Sequence, residues 1–173
     1  HACFDEALQV HRQHGSVRFQ GALTGNRAGM LHRMGEHRRA EQEYHEALRL
    51  HRVAQNPSSE GIALGNLGRL LSELDRLDEA EQRLREAIPL LEAARFPAAQ
   101  GAFTGLLGLV LARRGANAAA RALLDEGLEL LKGSNHPSSL GLLYCRRAEA
   151  ALLGGDGTGA GNELAAARAI AAE

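Results

Sequence analysis

Residues 61–71 read Gly-Ile-Ala-Leu-Gly-Asn-Leu-Gly-Arg-Leu-Leu, and the same order of small and apolar positions stands at 21–31, Gly-Ala-Leu-Thr-Gly-Asn-Arg-Ala-Gly-Met-Leu, and at 101–111, Gly-Ala-Phe-Thr-Gly-Leu-Leu-Gly-Leu-Val-Leu. Extended outward, this register cuts the chain into four gapless 40-residue blocks, 7–46, 47–86, 87–126 and 127–166. Gly21, Gly61, Gly101 and Gly141 share one column, Ala40, Ala80, Ala120 and Ala160 a second, and Phe4, Tyr44, Leu84, Leu124 and Leu164 a third. A fixed period of this size marks a solenoid, in which each unit buries its apolar face against its neighbours.

Each unit reads as a helical hairpin. Asn56 is a good N-cap and Pro57 suits a first helical turn, with Pro97 and Pro137 at the same offset, so a first helix, A, starts there. Ile62, Leu64, Leu67, Leu71 and Leu74 then fall at helical spacing without strand-like alternation, which carries helix A to about Leu74. Gly35, Gly115 and Gly155 hold the next column, where a left-handed residue ends a helix, and Asp75 takes that place in the second repeat. Helix B follows, with Ala80, Leu84, Ala87, Ile88 and Leu91 on one face. In the first repeat that face is Ala40, Tyr44, Ala47, Leu48 and His51, so the apolar stripe is expected to run out at His51. Pro89 removes a backbone donor inside the second helix B and should bend it without breaking it. Glycines opening the last helix B cost about 1 kcal/mol each relative to Ala, so the final hairpin should be the least stable.

These columns resemble the tetratricopeptide repeat. The second block meets its pattern with Leu67, Gly68, Leu71, Ala80, Leu84 and Ala87, and the third with Leu107, Gly108, Leu111, Ala120, Leu124 and Gly127. The outer blocks depart at the Leu column, where Arg27 and Arg147 stand. The usual period is about 34 residues; the longer version, with Gly-Asn-Leu-Gly in helix A, is similar to the repeats of the Leu-Gly-Asn spindle-orientation proteins and of kinesin light chain. A HEAT or armadillo array fits the period but not the Leu-Gly and paired-Ala columns. The expected fold is therefore all-α, a right-handed α-solenoid of antiparallel helix-turn-helix repeats with about nine helices. Residues 1–173 form one domain: 1–14 is helix B of an incomplete repeat, followed by repeats at 15–54, 55–94, 95–134 and 135–173, the whole expected to belong to a longer array.

Composition narrows the function. Hydrophobic residues make up 45% of the chain but aromatics only 3%, with no Trp, so the core must be built from Leu and Ala. A formal net charge of −1 gives no global attraction to nucleic acid or membrane, and neither partner is expected. Cys3 and Cys145 lie in different repeats, with neither disulfide nor metal-ligand spacing, and read as reduced thiols. The chain opens on no signal segment, and its longest apolar run, 105–112, is too short to cross a bilayer, so a soluble, cytoplasmic protein is expected. Lys132 is the only lysine among twenty basic residues, a bias that points to a GC-rich coding sequence and a bacterial source.

Chemical motifs give little. His11 and His14 are a turn apart and His32 and His37 flank a turn, but no Cys, Asp or Glu completes a ligand set, and the eight histidines read as solvent-exposed helix residues. Residues 154–161 have the look of a phosphate loop but lack its Gly-Lys-Ser/Thr ending, and in register they are a hairpin turn. No nucleophile–base or carboxylate pair recurs. Neither an enzyme, nor a cofactor, nor a metal is expected.

In tetratricopeptide arrays the A helices line a concave surface along which partners lie, so the resemblance implies a binding groove. Residues one turn from the packed face are Ala22, Asn26, Gly29, His32 and Arg33; Ile62, Asn66, Arg69, Ser72 and Glu73; Ala102, Leu106, Leu109 and Arg113; and Leu142, Arg146 and Glu149. Of these, Asn26, His32, Arg33, Asn66, Arg69, Glu73, Arg113, Arg146 and Glu149 are the candidate site. Arg33, Arg69, Arg113 and Arg146 outweigh Glu73 and Glu149, which favours an acidic peptide, since guanidinium pairs with carboxylate in a fixed fork. Asn26 and Asn66 share a column, and an amide can both donate to and accept from a bound backbone; in the resembling families this Asn grips the ligand main chain. The alternative for these residues is an Asn bonded to its own helix and arginines that favour helix C-termini without any ligand. The lysine and asparagine columns of the chaperone-tail clamp are here Gly25, Gly65, Gly105 and Cys145, then Gly29, Arg69, Leu109 and Glu149, so that clamp is not expected. A protein–protein interaction scaffold is the leading reading. Alternatives are a regulatory sensor region of a larger bacterial signalling protein (kinase, ATPase or transcription regulator) and self-association through the open array ends.

Overall fold

Asparagine and proline start the helices where the spacing says they should. In the computed structural model, which describes residues 16–134 and 136–172, Pro57, Pro97 and Pro137 each open a helix, and Asn56 Oδ1 accepts from the Ser59 backbone N–H at 3.3 Å. The described residues form eight helices and no strand: α1 (Val17–Arg33), α2 (His37–Val53), α3 (Pro57–Glu73), α4 (Leu77–Ala93), α5 (Pro97–Arg113), α6 (Asn117–Lys132), α7 (Pro137–Leu153) and α8 (Gly157–Ala171). The helix expected over 1–14 lies outside the described residues.

Left-handed residues close the A helices. Gly35, Asp75, Gly115 and Gly155 have φ of 77°, 61°, 82° and 81°, and the amide that follows reaches back into the last turn, as from Glu36 N–H to the Leu31 carbonyl at 3.0 Å. Helices α2 and α4 end the same way on Gln55 and Arg95, at φ 50° and 54°, although no glycine marks those ends. The short turns force each A helix to run antiparallel to its B helix, and the hairpins stack into an α-solenoid. Helix α4 is continuous through Pro89.

The core follows the columns. Ala40, Ala80, Ala120 and Ala160 are buried, as are Tyr44, Leu84 and Leu124. Leu164, in the same column, is 42% exposed, and among the described residues no A helix follows α8 to cover it. Each arginine that departs from the Leu column in the outer repeats meets a carboxylate. Arg27 pairs with Glu43 at 2.6 Å and Arg147 with Glu163 at 2.9 Å, each sixteen residues on and across the hairpin, where the inner repeats carry Leu67 and Leu107.

Two expectations need correction. The stripe does not run out at His51: its ring is only 3% exposed, in the place of the fully buried Leu91 and Leu131, because the repeat buries that position whatever side chain occupies it. The histidines are not uniformly solvated either, since His32 is 8% exposed, lodged against His37 and Tyr44 with ring centroids 6.0 and 6.4 Å away.

Candidate functional site

Because each A helix packs its neighbouring A helix along one edge, the faces left over line a common trough. A cavity of about 640 Å³ there is lined only by α1, α3, α5 and α7. His32, Arg33, Arg69, Glu73, Arg113, Arg146 and Glu149 all stand on its wall, with Cys145, a free thiol, beside Arg146. Asn26 and Asn66 do not line it. Leu106 and Leu109 form an apolar floor and are themselves mostly buried, as is Ser72, whereas Leu142 remains 47% exposed.

The four arginines are in different states. Arg113 is engaged: Nη1 donates to the Ser72 carbonyl at 2.8 Å and Nη2 to Asp75 Oδ1 at 3.0 Å, so its charge is spent tying the end of α5 to the end of α3. Arg33 is exposed at the mouth. Arg69 is half-buried, and its Nη2 donates to Asn66 Oδ1 at 2.8 Å. Arg146 is only 8% exposed, and its Nη1 donates to the Ala102 carbonyl at 2.8 Å. Burial, then repulsion from Arg69, pushes the Arg146 pKa down to about 10, with Glu149 and Glu73 pulling the other way. It is still charged at neutral pH, with no carboxylate in ion-pair contact among the described residues.

The polar groups around them are equally specific. His32 Nε2 donates to Glu73 Oε2 at 2.8 Å, bridging α1 to α3. The Tyr44 hydroxyl lies buried beside Arg69, and burial raises its pKa against the opposing charge and hydrogen bonding of the Arg69 guanidinium. Asn66 is committed to Arg69 through its oxygen, which leaves its amide N–H groups for other contacts. Sequence reasoning by columns missed the inter-repeat bridges, among them His32 to Glu73 and Ser72 to Arg113. Both span 41 residues, one more than the period, so they never share a column. Among the described residues no three His, Cys, Asp or Glu side chains come together as a metal site, and His11 and His14 lie outside them.

Residues 19–93, the first two hairpins, match the family model of the tetratricopeptide repeat. These two hairpins are tetratricopeptide repeats. Solved tetratricopeptide-like structures extend the likeness over nearly the whole chain. BtubC (BKLC) from P. vanneervenii is 17% identical with a TM-score of 0.75 over 91% of this chain and 65% of its own, so the chain spans less than two thirds of that protein's length. A Podosopora anserina protein of nearly identical TPR-like repeats, named for kinesin light chain, gives 17% identity and a TM-score of 0.64 over 99% and 94% of the two chains. A substituted form of that protein gives 15% and 0.61 over 98% and 93%. At such identities the likeness is one of fold, and it meets the resemblance to kinesin light chain repeats drawn from the columns. No curated protein matches the chain by sequence. Tetratricopeptide repeats generally serve as protein–protein interaction scaffolds. No helix of the described residues is long and apolar enough to cross a membrane.

Proposed function

We propose that this tetratricopeptide array binds an acidic peptide segment in the trough lined by α1, α3, α5 and α7. Arg146 carries the reading. A guanidinium removed from water and answered only by a main-chain carbonyl is costly, and a second arginine facing it adds to that cost. Carboxylates of a partner would relieve both, in a cavity whose low dielectric strengthens the pairing. The apolar floor of Leu106 and Leu109, continued by the exposed Leu142, gives the same segment somewhere to bury a hydrophobic side chain.

The test is a titration of a fluorescein-labelled glutamate-rich peptide, with its glutamine counterpart as control, read by fluorescence anisotropy. The glutamate form should bind, more weakly at higher salt, and Arg69→Ala or Arg146→Met should each weaken it by about tenfold, as expected for losing a charge-assisted hydrogen bond of about 1.5 kcal/mol. Equal binding of the two peptides, or affinity unchanged in both variants, would remove the groove as the acidic site.

A further inference from the structure

An arginine and a glutamate three or four residues apart on a helix are within reach of one another, and this chain closes several such pairs. Arg39 with Glu36, Arg49 with Glu46, Arg76 with Glu79, Arg83 with Glu86 and Arg85 with Glu81 are all in contact. In two of them, Arg76–Glu79 and Arg83–Glu86, the arginine comes first, three residues ahead of the glutamate. On the trough wall, Arg69 and Glu73 stand four apart on α3 in the same order, and their pair is not made. Arg69 Nη2 is taken by Asn66 Oδ1 at 2.8 Å, and Glu73 Oε2 by His32 Nε2 at 2.8 Å. An amide and an imidazole hold apart two charges that the helix puts side by side.

The separation matters because of what Glu73 would otherwise do. Its side chain is 53% exposed, free to rotate once released, and on α3 it is the acidic group within reach of Arg69; its charge is also felt by Arg146. His32, by contrast, is fixed, 8% exposed and wedged edge-on against His37 and Tyr44.

We propose that Glu73 is an internal competitor for the acidic ligand and that His32 is the positioning residue that withdraws it, keeping Arg69 open to the partner. This rests on the groove reading above. Released from His32, the Glu73 carboxylate closes on Arg69 and the ligand must displace it. The effect of an exposed pair of this kind on the ligand's apparent affinity is about two- to fivefold.

The same anisotropy titration decides it, on the full chain. His32→Leu keeps the buried volume and removes the donor; His32→Ala is a second route to the same loss. Both should weaken binding of the glutamate-rich peptide by about two- to fivefold. His32→Gln, whose amide can still donate, should keep wild-type affinity, and adding Glu73→Gln to His32→Leu should restore it. That rescue cannot come from repaired packing, since a glutamine at 73 puts nothing back at 32. If the wild type prefers the glutamate peptide but the His32 variants bind it as well as wild type does, or the double variant stays weak, the withdrawal of Glu73 is wrong and the groove reading stands. If the wild type fails to distinguish the two peptides, the groove reading falls and this one with it.

Discussion

At His51 the repeat forces a titratable ring into a position that its register partners Leu91 and Leu131 fill with hydrocarbon. The ring lies where a Cβ on Gly21 would come within 2.8 Å, and its Nδ1 is buried without a partner. Burial holds the His51 pKa below the ordinary 6.5, with Glu60 opposing. A depressed histidine pKa means the fold prefers the neutral ring. Above 6.5 there is no penalty, and as pH falls from 6.5 toward the folded value the unfolded chain takes up a proton that the folded one refuses, so stability declines. His51→Leu should remove that acid-side decline and raise stability by about 1–2 kcal/mol through loss of the unsatisfied nitrogen. Thermal melts of both proteins across the mildly acidic range check it; parallel pH profiles would sink the argument. His51 was visible in its column, but hydropathy suggested an end to the buried stripe where position alone decides. Arg27 and Arg147 teach the same lesson, since their partners Glu43 and Glu163 become visible only when the helices fold back.

Gly25 and Gly65 occupy one column in two successive A helices and look interchangeable, yet what faces them differs. A Cβ on Gly65 of α3 would enter the ring of Phe103 on α5, whereas one on Gly25 of α1 would meet only Ala47 Cβ at 3.8 Å. The reason lies one repeat on: the residue in the Phe103 column opposite α1 is Ala63. Gly65→Ala should therefore destabilise by about 1–3 kcal/mol through overpacking. Gly25→Ala should be neutral or stabilising by up to about 1 kcal/mol, the helix propensity difference. Urea denaturation of the two variants separates them, and equal shifts would mean that Phe103 is free to move aside. Helix starts and the glycine-ended A helices were legible because capping and left-handed turns are local chemistry. The close approach at Gly65 was not, since it depends on a side chain thirty-eight residues away. The B-helix ends at Gln55 and Arg95 escaped for a related reason: stacking imposes a left-handed turn there without a glycine to announce it.

Across the whole molecule the period made the solenoid readable, and the offset from the packed face brought seven candidate residues to one trough. Which of those charges the fold already satisfies was beyond it. Arg113 and Arg146 look alike in sequence, and only packing gives one a carboxylate and the other a main-chain oxygen. Packing is also uneven along the array. A cavity of about 320 Å³ opens between α5, α6, α7 and α8, its wall including Ala150, Ala151 and Gly154 beside the charged Arg121, Asp125 and Glu163. In the Ala151 column the other repeats bury Leu31, Leu71 and Leu111. Ala151→Leu should fill this space and stabilise the last hairpin by about 1–2 kcal/mol. Slower amide exchange confined to α7 and α8 is the expected signature, and unchanged exchange there would show that the cavity is not closed by the added side chain. Two of the turns that close A helices are laced to the B helix of the preceding repeat: Arg76 reaches Glu41 of α2 at 2.8 Å, and Arg114 contacts both Asp78 and Glu81 of α4. The turn at 154–156 has no such lace among the described residues. Mechanically the array is thus a spring of unequal coils, and on the proposed reading a segment lying from Arg69 to Arg146 would be gripped between a firmer jaw and a softer one.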